Sequence, residues 1–172
     1  MKRSVVMTLV FLLGISVGAL AGKVKLDSGT FIGKDNAAAG AALLDVARPM
    51  AGKDSWENIA IGRILYLAGQ KEAGQEIFDS VTGRKENGSD YIRIGRVYWE
   101  AGEWDKAKQA FDRALELEPN DAPWMAEIGA YYMIKGDKTK AEELFESSVS
   151  IEDDNYWSII SMAAGYHGVR PQ

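Results

Sequence analysis

One pattern laid three times along the chain constrains the fold more than any other feature. In GSDYIRIGRVYWEAGEWDKAKQAFDRALELEPN, residues 88–120, apolar or small residues fall at Tyr91, Ile94, Gly95 and Tyr98, then at Ala107, Ala110, Phe111, Ala114 and Leu115. Each set recurs at i, i+3, i+4 and i+7, which gathers it on one helical face. Gly102 stands between the sets, where a tight helix-to-helix turn favours a residue without Cβ, and Pro119 closes the unit. One period further on, Met125, Ile128, Gly129, Tyr132, Gly136, Ala141, Phe145 and Ser148 fall on the same positions. One period back, Asn58, Ile61, Gly62, Leu65, Gly69, Gly74, Phe78 and Val81 do so. A single hairpin of this kind cannot bury its apolar face. Stacked copies can, so the periodicity predicts an all-α solenoid.

These residues resemble the tetratricopeptide repeat (TPR) family over roughly residues 55–155. The middle copy carries Gly95, Tyr98, Ala107, Phe111, Ala114 and Pro119 in place; the third departs at Ser148 and Asp153, the first at Asn58, Leu65 and Gly74. The resemblance implies a right-handed α-α superhelix of three helical hairpins, residues 55–87, 88–121 and 122–155. Predicted helices cover 55–68, 70–82, 88–101, 104–117, 122–135 and 138–151. An Ala-rich helix over 36–48, stopped by Pro49, covers the first repeat. A capping helix and tail, 156–172, resemble an uncompleted fourth repeat, with Ile159, Met162, Ala163 and Tyr166 as core positions and fraying from Gly168.

The N-terminal segment reads differently. Lys2 and Arg3 precede an uncharged run from Ser4 to Gly22, with Ala19-Leu20-Ala21 as a small-x-small motif. This predicts a signal peptide over 1–21 and export to the periplasm or the extracellular space. The alternative is an uncleaved anchor over 4–22 that leaves the repeats outside the cytoplasm. Residues 22–54 are then an arm and a covering helix. Without residues 1–21 the chain holds 18 basic and 25 acidic side chains, an acidic balance that argues against nucleic acid as a partner. There is no cysteine, which excludes disulfides, thiolate metal sites and thiol catalysis.

No residue pattern points to catalysis, a metal or a cofactor. The single histidine, His167, has no Ser or Cys nucleophile near it in sequence, and Glu152-Asp153-Asp154 reads as a solvated turn. What the family resemblance does imply is a concave groove lined by the first helix of each hairpin. Carried over by position, it assigns Trp56, Ile59, Arg63 and Tyr66 to that groove, then Ser89, Ile92, Arg93, Arg96 and Trp99, then Ala126, Ala130 and Met133, and finally Trp157 and Ile160 from the terminal helix. Arginines flanked by Trp and Tyr suit a protein or peptide partner with acidic groups. The two-carboxylate clamp of chaperone adaptors needs Lys and Asn where this chain has Ile59 and Arg63. A second expectation is self-association through the terminal helix or the convex face.

Overall fold

A computed structural model describes residues 25–171. A 3₁₀ turn over Ser28–Thr30 leads into eight α-helices: α1 (Asn36–Ala51), α2 (Ser55–Leu67), α3 (Lys71–Thr82), α4 (Gly88–Glu100), α5 (Trp104–Leu117), α6 (Ala122–Ile134), α7 (Lys138–Ile151) and α8 (Tyr156–Tyr166). No strand occurs among the described residues. The expected repeat helices are found to within a residue at each end.

The local causes are those the sequence offers. Asp54, Asn87, Asp121 and Asn155 accept from backbone N–H groups at the starts of α2, α4, α6 and α8, which satisfies donors the helix itself leaves free. Gly69, Gly102 and Gly136 take φ of 90°, 78° and 89° in the three hairpin turns, a region closed to most residues with a Cβ. Pro49 does not end α1. It stands inside the last turn, and the helix runs on to Ala51 before Gly52 at φ 54° stops it.

Within each hairpin the helices close on a small residue facing a ring. A Cβ added at Gly62, Gly95 or Gly129 would come within 2.6, 2.5 and 2.6 Å of Phe78, Phe111 and Phe145. These contacts feed one continuous core from α2 to α7, with Tyr66, Phe78, Val97, Phe111, Ile128 and Tyr131 almost completely excluded from water. A smaller cluster of Ala51, Ile61 and Leu65 joins α1 to α2.

The end helix departs from expectation. Ser158, Ser161 and Gly165 are the buried residues of α8, while Ile159, Ala163 and Tyr166 are exposed. The reason is the neighbour: α8 lies against α6, where Gly165 meets Ala130 so closely that an added Cβ would stand 2.8 Å from the Ala130 Cα. Nor is the tail frayed, since Arg170 reaches back to within 3.7 Å of Glu100 and Pro171 is buried.

Candidate functional site

The first helices of the first two repeats form the walls of an open groove. Trp56, Ile59, Ala60 and Arg63 of α2 face Arg93, Arg96, Val97 and Glu100 of α4, and Arg170 of the tail closes one side around about 250 Å³. Arg63 and Arg96 stand one repeat apart and behave alike. Each donates two hydrogen bonds to a carboxylate of the next repeat: Arg63 to Glu100 at 2.9 and 2.6 Å, Arg96 to Glu127 at 2.6 Å twice. The fork-on-fork geometry is the strongest that a guanidinium offers a carboxylate.

The two pairs differ in solvation. Glu127 is 5% exposed, whereas the Glu100 side chain keeps 26% of its surface in water. Burial pulls the Arg96 guanidinium toward the neutral form, but its bonds to Glu127 outweigh this and its pKa is raised. The bonds from Arg63, set against a smaller effect of burial, hold the Glu100 carboxyl below the usual range.

Arg93 is engaged more loosely. Its guanidinium stacks 4.7 Å over the Trp56 ring, and it donates to the carbonyl and hydroxyl of Ser89 at 2.9 and 2.8 Å. Its nearest carboxylate, Asp90, lies 3.8 Å away. Among the described residues, four guanidiniums thus line a groove in which Glu100 is the one carboxylate, with Glu127 bound to Arg96. Arg93 and Arg170 stand 3.8 and 3.7 Å from Asp90 and Glu100, so neither is held in a bidentate carboxylate bond.

Of the residues assigned to the groove from the family pattern, Trp56, Ile59, Arg63, Arg93 and Arg96 line it. Tyr66 and Ile92 do not: both are buried. Tyr66 packs among Phe78 and Tyr98 and turns its hydroxyl away to Glu103, because the second repeat covers this face of α2. Trp99 is half-buried with its ring 5.1 Å from that of Tyr131, and its Nε1 has no hydrogen-bond partner among the described residues. Ala126 and Ala130 are fully buried, the latter under α8. Trp157 and Ile160 are exposed on α8, outside this groove. Sequence reasoning missed Arg170, Glu100 and Glu127. Glu127 had a signal, since it holds the repeat position of Arg93, where the sign of the charge reverses.

A sequence match falls on the central repeat of this architecture. The tetratricopeptide repeat family matches residues 89–121, the central hairpin almost from end to end. Residues 89–121 thus carry a tetratricopeptide repeat. The crystal structure of MamA superposes on it with a TM-score of 0.54 at 18% identity, covering 74% of this chain and 77% of that one. At that identity the likeness concerns the fold alone. No curated protein matches the chain. Among the described residues, no group of three His, Cys, Asp or Glu side chains is placed to hold a metal ion. No described helix is long and apolar enough to cross a membrane, and the expected signal segment lies outside the described residues.

Proposed function

We propose that this protein is a non-catalytic scaffold that holds an extended, acidic segment of a protein partner in the groove between α2 and α4. The surplus of guanidiniums over carboxylates in that groove carries the reading. Arg63 and Arg96 are committed to Glu100 and Glu127, so they shape the walls. Arg93, held over Trp56, and Arg170 offer the donors left for an incoming carboxylate, with Trp56 and Ala60 as apolar flank. A hydrogen bond to a charged group contributes about 1.5–3 kcal/mol, equal to roughly tenfold or more in affinity.

The test is a tryptophan-fluorescence titration with two peptides, one Glu-rich and one with Gln at every Glu. The acidic peptide should bind at least tenfold more tightly, lose that margin in Arg93→Gln, and weaken with added salt. Equal affinity for both peptides would overturn the reading.

The compartment belongs to the same proposal. Lys2, Arg3, the uncharged run and Ala19-Leu20-Ala21 support export, with the scaffold acting in the cell envelope. Ala21→Phe should block processing and leave a longer, membrane-bound precursor on a gel. Native protein that carries Met1 in the cytosol would contradict it.

A further inference from the structure

Among the described residues, the two ends of the solenoid expose complementary faces. Ile64, Val97 and Tyr131 hold the same position in successive repeats. Val97 and Tyr131 are 1% and 0% exposed, each in a repeat with another stacked before it. Ile64 is 49% exposed, because among the described residues no such helix precedes α2.

Helix α1 shows the same gap from its other side. Gly40, Leu44 and Ala47 lie one repeat before Gly74, Phe78 and Val81, so α1 carries the pattern of a hairpin's second helix. In α3 a Cβ at Gly74 would stand 2.8 Å from both the Gly62 carbonyl and the Tyr66 Cβ of the first helix. At Gly40 an added Cβ would meet nothing within 4 Å. Between α1 and α2 runs a cleft of about 300 Å³ lined by Leu44, Ala47, Met50, Ala60 and Ile64, with Trp56 beside them. The first helix of a hairpin is what such a cleft lacks.

The opposite end presents that helix. Ile159, Ala163 and Tyr166 of α8 lie one repeat after Met125, Gly129 and Tyr132, the positions at which α6 meets α7. Gly129 is covered by Phe145, whereas Ala163 is exposed. Tyr156, Trp157 and Ile160 are exposed beside it, and residues 156–166 hold no charged side chain. A continuous apolar face of this kind on a soluble domain marks an interaction surface.

We propose that α8 of one copy seats in the α1–α2 cleft of the next, so that α8 and α1 complete one hairpin between two chains. The occupant is a second copy because the register fits: among the described residues α8 is a first helix with no second packed on it, and α1 is a second helix with no first. The chemistry fits as well, since among the described residues the cleft is lined by apolar side chains with Glu57 as its one charged residue. The surfaces that meet are different, so the contact is head-to-tail. Each added copy exposes a fresh α8 or a fresh cleft, and growth follows the solenoid's own step into an open-ended chain. This goes beyond the groove reading, with which it shares the border residues Trp56 and Ala60 and no arginine.

The experiment is light scattering on the protein as processed in its own cells, across a range of concentrations, with Ile64→Glu and Ala163→Glu as variants. Both positions are exposed, so each variant should fold, and circular dichroism checks this. Wild type should gain mass continuously with concentration. Each variant alone should run as a single chain, since a Glu at one end puts an unpaired charge into every junction. An equimolar mixture of the two should stop at a dimer, because each variant keeps one sound end and the two sound ends fit each other. Three results would overturn the proposal: a wild type that stays a single chain throughout; a dimer abolished by Ala163→Glu but kept by Ile64→Glu, which means α8 pairs with α8; or assembly that survives both changes. A cleft filled by the segment before residue 25 of the same chain gives the first of these. The peptide titration, run on the single-chain Ile64→Glu variant, reads the groove independently.

Discussion

Arg63 and Arg96 share a repeat position and a bidentate bond, yet removing them has unequal consequences. Arg96→Ala leaves Glu127 buried without a partner, and an uncompensated buried carboxylate costs about 3 kcal/mol. Arg63→Ala releases Glu100, which water and Arg170 already reach, so the loss falls within the roughly 0–1 kcal/mol of an exposed pair. Thermal melts of the two variants should separate accordingly, and equal shifts would mean that burial does not decide between them. Sequence position alone treats both arginines as groove residues off the core, which predicts little effect from either. Gly95→Ala tests a different contact. Its Cβ would lie 2.5 Å from a ring carbon of Phe111, itself fully buried, so the ring cannot swing aside. Overpacking of this kind costs about 1–3 kcal/mol, visible as a lower midpoint in urea.

Between elements, the junction of the first two repeats rests on a polar knot at the α4–α5 turn. Glu103 accepts from Lys106 at 2.8 Å, from Lys71 of α3, and from the Tyr66 hydroxyl of α2 at 2.6 Å, while Tyr66 accepts from Lys106 at 2.8 Å. The bonds from Lys106, then Lys71 and Tyr66, hold the Glu103 carboxyl down at about 2 against an ordinary 4.5. Its folded pKa is depressed, so its contribution to stability is complete above about pH 4.5 and fades as the pH falls toward 2. Glu103→Gln should melt lower than wild type at neutral pH, with the two curves converging through that window. Parallel curves down to that lower limit would show that the knot does not couple to folding. This junction was not legible in the sequence, although the helices it joins were. Periodicity and capping residues place α2 to α7 to within a residue, because each hairpin's register depends on local spacing. Which face of Tyr66 or Ile92 is covered depends on the next repeat's approach, and that is set by side chains far along the chain. Hence Trp56, Arg63, Arg93 and Arg96 line the α2–α4 groove at the repeat positions expected of them, while Tyr66, Ile92, Trp99 and Trp157 lie outside its lining and Arg170 joins it from the tail.

Across the whole molecule, stability in a solenoid is a sum over neighbours, and the ends have fewer of them. The continuous core runs from α2 to α7, whereas α1 buries only Ala51 and touches its neighbour through a small cluster. After Asn36 its next six residues are all Ala or Gly, so little apolar area holds this end in place. Local opening should therefore release α1 long before the central repeats, since opening free energy follows buried contact. Hydrogen exchange on dilute Ile64→Glu protein, where no second copy covers the cleft, should show α1 amides exchanging fastest of any helix. The α4–α7 amides should exchange last and together, at the rate set by global unfolding. In wild type the α1 protection should rise with protein concentration while that of α5 stays constant, because a seated α8 supplies the contacts α1 lacks. Protection in α1 equal to that in α5 in the dilute variant would show that this end is held by its own chain, and the neighbour-sum account of the fold would fail there.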